Sequence, residues 1–210
     1  MLIREALDAH VLRTLPDLRT SGDRLDTGIL LPLQLEPEPV VTMILRAGNL
    51  RHHASEVAFP GGKPDPADRD LQATALREAH EEIGLHPSHV EVVGRLSQVP
   101  VATSRYRLNP FVGIVSPNRP PWVMSAEIAR VFDLRLASLT DGTYDFCAIR
   151  VDWAGTEVLS PMFVIDGHTR LYGASSIALV ELLTVVGPCF GLRMPAPRAV
   201  FEGFSIPRQQ

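Results

Sequence analysis

Cysteine is nearly absent from the chain: Cys147 and Cys189 are the two in 210 residues. They offer neither a disulfide framework nor the paired spacing of a zinc site. That points to a reducing compartment and to small core or near-surface roles for both. Uninterrupted apolar sequence is scarce as well. The longest run, around Ile177–Val186, is broken by Glu181 and Thr184 and falls short of the roughly 20 residues that cross a bilayer. Glu5 and Asp8 stand where a secretory leader needs an apolar run, so no signal peptide is expected. Positive charge is not in excess either. The formal net charge of −4 argues against broad nucleic-acid binding by charge alone. With no repeats or low-complexity blocks, the expectation is a cytoplasmic, soluble protein with no membrane or nucleic-acid partner.

What is present suffices for one sizeable core: 45% hydrophobic and 21% charged residues over this length. An amphipathic helix is predicted over Leu2–Leu15, stopped near Pro16. Gly28–Leu35 and Val40–Arg46 read as strands joined as a hairpin across Glu36-Pro37-Glu38-Pro39. Val90–Val99, Leu108–Val115, Tyr144–Val151 and Val158–Ile165 are further extended runs, while Ser125–Phe132 and Ser175–Val186 read as helices. Strands mixed with helices at both ends predict an α/β sandwich with no dividing linker. The organisation is thus one domain over 1–210, with an N-terminal helical extension at 1–27 and an irregular proline-rich tail at 188–210.

The most informative stretch runs from Gly61 to Leu85. Phe59-Pro60-Gly61-Gly62 ends a short apolar run and lets the backbone turn tightly. A polar loop follows, in which Asp68 or Asp70 is placed to cap a helix. Leu76, Ala79 and Ile83 form its apolar seam, and Gly84 marks its stop. On that helix Glu81 and Glu82 fall roughly 60° and 40° to either side of Glu78. Three carboxylates on one face repel unless a cation lies among them, and hard oxygen ligands on a rigid element suit Mg²⁺ or Mn²⁺. The alternative is a solvated acidic face with Arg77 pairing Glu81 at i+4.

Arg77-Glu78-Ala79-His80-Glu81-Glu82-Ile83-Gly84-Leu85 resembles the second half of the Nudix hydrolase signature, complete and with its spacing intact. The loop from Gly62 to Arg77 is one residue longer than the general signature, so the usual loop glutamate falls on Asp68 or Arg69. That extension, with Phe59-Pro60-Gly61-Gly62 and Thr74-Ala75-Leu76-Arg77-Glu78-Ala79, is similar to the coenzyme A pyrophosphatase branch. Met43–Ala47, Leu50–His53, Asn109–Gly113 and Leu171–Ser176 carry shorter likenesses, so similarity spans about residues 28–187. Ser55 stands where the branch usually has glycine. The resemblance implies an α/β/α sandwich with a mixed central sheet. It also implies metal-dependent hydrolysis of a nucleoside diphosphate linked to another group. For this branch the reaction takes coenzyme A or acyl-CoA to 3′,5′-ADP and (acyl-)4′-phosphopantetheine.

Glu78 and Glu82, stacked on consecutive turns, are the first candidates for metal ligands, and Glu81 is a ligand or the base. Arg77 is expected to orient a glutamate, as the family's arginine does. Gly61 and Gly62 allow close backbone approach to a phosphate or metal, and Lys63, Arg46 and Arg51 are cations suited to an anionic substrate. Glu127 matches a glutamate common before the branch's late helix, as distal ligand or base. His52, His53 and His80 are assigned surface roles. Tyr106, Tyr172 and Phe59 are open to stacking on adenine or to burial. Ser175 and Ser176 lack the histidine–acid partners of a serine hydrolase. The rivals are a Nudix pyrophosphatase acting on ADP-ribose, NADH or nucleoside triphosphates, a non-catalytic ligand-binding regulator, and an isopentenyl-type diphosphate isomerase. The last would need a nucleophilic cysteine beside the site. The partner expected is a small nucleotide or coenzyme A substrate, with a homodimer open.

Overall fold

The run Leu25–Gln34 contains seven consecutive buried residues, Thr27–Leu33, too many for a strand with one wet face. In the computed structural model, which describes residues 2–13, 15, 23–50, 53–153 and 156–201, this run is the central strand β1. The preceding helix α1 covers Ile3–Asp8. After β1 come β2 (Val40–Arg46), β3 (Val57–Ala58), β4 (Gly61–Gly62), helix α2 (Leu71–Ile83), β5 (Val90–Arg95), β6 (Val99–Pro100), β7 (Tyr106–Val115) and β8 (Ile128–Arg135). The chain ends in β9 (Asp145–Trp153), β10 (Thr156–Val164), β11 (Arg170–Tyr172), helix α3 (Gly173–Val186) and β12 (Val200–Phe201).

The main sheet runs β3-β2-β1-β7-β5, with β4 added to β1, β6 to β7 and β8 to β2. β1 and β7 are parallel while β1 and β2 are antiparallel, so the sheet is mixed. A second sheet runs β11-β10-β9-β12. Alternation along the strands sends Leu30 and Ile44 to one face, under Ala75, Ala79 and Ile83 of α2. Ile29, Leu31, Leu33 and Met43 join the core of the other face with Ala178, Leu179, Leu182 and Leu183 of α3. This is the α/β/α sandwich with a mixed central sheet expected above.

Three sequence expectations need correction. The N-terminal helix stops at Asp8 and not at Leu15, because Val11 and Leu12 remain 80% and 40% exposed and give a longer stripe nothing to bury against. Ser125–Phe132 is not a helix. Its second half opens β8, whose backbone pairs with β2 from Ile128 to Arg135. Glu127 therefore precedes a strand. The tail is irregular only in part: a 3₁₀ turn at Gly187–Phe190 packs Cys189 and Phe190 on the core, and β12 pairs parallel with β9. Phe204 and Pro207 lie outside the described residues.

Helix α3 and its following turn also form a stretch of 18 residues, Gly173–Phe190, that meets membrane length and apolarity by composition, which the broken run around Ile177–Val186 did not suggest. In the fold it is the core helix of the second face. Its acid, Glu181, accepts hydrogen bonds from the Ser97 backbone N–H at 3.1 Å and bonds His10 Nε2 at 2.7 Å.

Candidate active site

The loop from Gly62 to Asp70 and the helix behind it are joined by side chains of both. Asp70 caps α2, its Oδ1 accepting from Ala73 N–H at 2.7 Å. Gly84 ends the helix in the left-handed region at φ 71°, with Leu85 N–H closing back on Ala79 O at 3.2 Å. Asp68, the second capping candidate, faces inward instead: Thr74 Oγ1 donates to it at 2.9 Å, and Arg77 grips it with Nε at 3.1 Å and Nη2 at 3.0 Å. Arg77 hydrogen-bonding holds the Asp68 carboxyl down at about 2. The same guanidinium donates to Lys63 O at 2.9 Å, Glu78 Oε1 at 3.1 Å and Glu81 Oε2 at 3.0 Å. Arg77 thus ties loop to helix and fixes two of the glutamates.

The three glutamates have different surroundings. Glu82 is 6% exposed; its Oε2 accepts from Gly61 N–H at 3.0 Å and its Oε1 from Arg46 Nη1 at 3.2 Å. Burial outweighs both and pushes its carboxyl up to about 7. Glu78 is raised as well, again chiefly by burial, against the pull of Arg77. A Cβ on Gly62 would lie 2.4 Å from Glu78 Oε1, so this carboxylate occupies space that any other residue would fill. Glu81 is exposed and pairs with Arg77. Among the described residues no three acidic, histidine or cysteine side chains form a ready-made metal cage. The donors nonetheless suit a hard divalent cation. Glu78 and Glu82 are desolvated carboxylates whose charge the arginines only partly offset, set against glycine backbone.

Around this centre the remaining candidates spread out. Arg46 Nη2 donates to Glu127 Oε2 at 3.3 Å, which brings the distal glutamate to the same cation as Glu82. Lys63 is exposed, its Nζ 5.2 Å from the centroid of the Tyr106 ring. Arg51 and His52 lie outside the described residues. His53 bonds Glu56 at 2.7 Å, and His80 is exposed, edge-on to His86. Phe59 is buried in the main core, and Tyr172 packs against the second sheet, away from an adenine role. Ser176 donates to Pro161 O and Gly173 O, a structural use. Cys147 lies in the second sheet, its thiol pushed up by burial, and Cys189 packs behind α3. Neither stands beside the glutamates. Ser55 has φ 58°, the left-handed conformation that explains a glycine preference there.

From sequence Asp68 reads as a helix cap or as the loop's acidic position, and Tyr106 as open to stacking on adenine or to burial; the grip of Arg77 on Asp68 and the approach of Lys63 to Tyr106 were not foreseen. Nor was the group behind Tyr106, where Arg107 forks onto Asp26 at 2.7 and 2.9 Å and Asn109 Nδ2 donates to Asp26 at 3.0 Å. The loop acid was legible as a polar position but not as the arginine's anchor. Arg107 and Asn109 meet Asp26 from about 80 residues further along the chain, and Lys63 meets Tyr106 of β7 from the loop after β4.

A sequence description of the NUDIX domain matches residues 26–141. Over 108 residues the chain is 44% identical to the "Uncharacterized Nudix hydrolase NudL" of Yersinia pestis (strain Pestoides F), covering 51% of this chain and 54% of that protein. The protein of that name from Yersinia pseudotuberculosis serotype O:1b (strain IP 31758) matches to the same extent. The chain therefore spans about half the length of the curated relatives it matches. Among solved structures it is similar to a MutT/nudix family protein from Enterococcus faecalis, with TM-score 0.52 at 16% identity over 84% of this chain and 66% of the other. A NUDIX hydrolase from Nitrosomonas europaea gives 0.50 at 14% identity over 87% and 81%. Such identities speak for the fold alone. The matched residues take in more than half of the sequence, from β1 through α2 with its glutamates to β8, and the chain belongs to the NUDIX domain family.

Proposed function

We propose that this chain is a divalent-metal-dependent pyrophosphohydrolase that cleaves the diphosphate of a nucleoside diphosphate derivative. The observation that carries this reading is the pair Glu78 and Glu82, desolvated on consecutive turns of α2 and set against Gly61 and Gly62. Diphosphates resist water because their charged oxygens repel a nucleophile. A bound Mg²⁺ or Mn²⁺ would neutralise that charge and lower the pKa of a bound water. Glu78 and Glu82, with Glu81 beside them, are the side chains that would hold it.

The other residues bind and orient. Arg77 restrains Glu78 and Glu81 and, through the Lys63 carbonyl, the loop that carries Lys63. Lys63 is assigned to a substrate phosphate, with Tyr106 beneath it as the flat surface for a base. Glu81, exposed on the same helix, is assigned the proton of the attacking water, and Glu127 is held in reserve for that role by Arg46. Water adds to one phosphorus, the bridging P–O bond breaks, and the leaving phosphate departs with the electron pair.

Coenzyme A or an acyl-CoA is the substrate we assign, on the likeness of the extended Gly62–Arg77 loop and its flanks to that branch. The products would be 3′,5′-ADP and (acyl-)4′-phosphopantetheine. The test is mass spectrometry of products from coenzyme A, ADP-ribose, NADH and nucleoside triphosphates with Mg²⁺ or Mn²⁺. Cleavage of coenzyme A at the diphosphate, abolished in Glu78→Gln and Glu82→Gln, is the expected result. Preference for another member of the set would replace the substrate. An intact panel would remove the enzymatic reading and leave a binding module.

A further inference from the structure

Arginines grip carboxylates in this molecule in two ways. Arg107 forks onto Asp26 with Nε and Nη2 at 2.7 and 2.9 Å, and Arg77 forks onto Asp68 at 3.1 and 3.0 Å. Arg46 does not fork. It touches Glu82 with Nη1 at 3.2 Å and Glu127 with Nη2 at 3.3 Å, and its buried Nε has no hydrogen-bond partner among the described residues. Parallel side-on bonds are the strong form. Two longer bonds to separate acids, with a buried donor left over, are the weak form.

The backbone puts Arg46 there by a specific device. It is the last residue of β2 and shares a sheet face with Ile44, which packs under α2. Opposite it, Leu45 pairs with Arg130 but Arg46 pairs with Ile128, so Ala129 is an extra residue in β8. Such a bulge turns the strand, here bringing Glu127 beside Arg46, where its carbonyl accepts from Ala47 N–H at 2.8 Å. One guanidinium therefore spans a buried acid from α2 and an exposed acid from the approach to β8.

We propose that Arg46 is a displaceable counter-ion, which holds Glu82 and Glu127 in the metal-free protein, yields Glu82 to a divalent cation and then takes a substrate phosphate. The proposal rests on the metal-hydrolase reading above. A guanidinium and a hard cation compete for the Glu82 oxygens, so each weakens the other's hold. Once released, the planar donor set of Arg46 matches phosphate, and its orphaned Nε gains an acceptor. Metal entry and phosphate binding thereby become coupled through one side chain. Arg46 is on this account a positioning residue for the metal and a binding residue for the diphosphate.

The test measures Mn²⁺ alone, without substrate, by the electron paramagnetic resonance of the free ion. Wild type, Arg46→Gln and Arg46→Lys are compared after circular dichroism shows each folded. Arg46→Gln should bind Mn²⁺ roughly ten-fold tighter than wild type. Arg46→Lys keeps the charge but cannot span both acids, and should fall between. Both variants should raise KM for the diphosphate substrate more than they lower kcat. Wild-type affinity in Arg46→Lys would reduce the effect to a general field and overturn the proposal, as would unchanged or weaker binding in Arg46→Gln. Mn²⁺ binding that survives Glu82→Gln would also overturn it. If Arg46→Gln does not fold, Arg46→Lys decides alone. Should no diphosphate be cleaved while the Mn²⁺ order holds, the proposed function fails and the displacement stands.

Discussion

Glu82 carries its charge at a cost. Its usual value of 4.5 rises to about 7 in the fold because burial disfavours the anion more than Gly61 and Arg46 favour it. A carboxyl raised on folding holds its proton longer in the native state. Stability is therefore lost as pH climbs from 4.5 through about 7 and stays lost above. Metal-free Glu82→Gln should be more stable than wild type near pH 8, on the order of 1–3 kcal/mol. The gain should vanish near pH 4.5, where both side chains are neutral. Urea denaturation in the presence of chelator checks this, and a variant weaker than wild type at the higher pH contradicts it. The same substitution should abolish hydrolysis, since the strained charge is the one assigned to the metal. The adjacent glycines separate in a similar way. A Cβ on Gly61 would meet backbone, Gly28 O at 2.5 Å and Ile29 Cα at 2.6 Å, whereas on Gly62 it would meet the end of the Glu78 side chain. Gly61→Ala should cost about 2 kcal/mol or more in stability. Gly62→Ala should melt near the wild-type temperature while losing roughly ten-fold in Mn²⁺ affinity, because a displaced carboxylate moves more cheaply than a strand.

At the scale of the element, the loop and α2 behave as one unit because Arg77 stitches them. Asp68, with a side chain 6% exposed, is held at about 2 against a usual 3.8. A carboxyl lowered on folding contributes fully above 3.8 and loses that contribution as pH falls toward 2. Asp68→Asn should thus be less stable than wild type at pH 6, by roughly 1–2 kcal/mol for charged hydrogen bonds. The two melting curves should converge as the pH approaches 2. A gap that persists in acid would mean the loss is steric and unrelated to the ion pair. The helix of this unit was legible from sequence because its cap, seam and glycine stop all lie within one turn of where they act. β8 was not, and the reason is physical. With Ala129 bulged, Ile128 and Val131 both reach the α2 face while Phe132 and Leu134 reach the other. Three-residue spacing on one face imitates a helix, and only pairing with β2 tells the two apart. The Lys63–Tyr106 and Arg107–Asp26 contacts were hidden for a different cause: sequence spacing carries no record of which distant strands become neighbours.

Across the whole molecule the sheet divides labour. α2 carries the acids assigned to chemistry on one face, and α3 fills the core of the other. Glu181 is the one charged residue in the apolar stretch Gly173–Phe190, and Ser97 and His10 hold it there. That triad pins the segment following α1, the β5–β6 turn and α3 together, and none of its members bonds to the Glu78–Arg77–Glu82 group. Glu181→Gln replaces charge-assisted hydrogen bonds by neutral ones and should lower the unfolding free energy, read by urea denaturation, by about 1–3 kcal/mol. Its kcat and KM should stay at wild-type values. Glu78→Gln should do the reverse, abolishing turnover while relieving a carboxylate that burial already disfavours. The double variant then tests the division itself. Groups on opposite faces with no shared partner add within about 0.3–0.5 kcal/mol, so its stability should equal the sum of the two single effects. A larger discrepancy would mean that the sheet transmits strain from the α3 face to the acids, and that the two sides of the sandwich are one cooperative site.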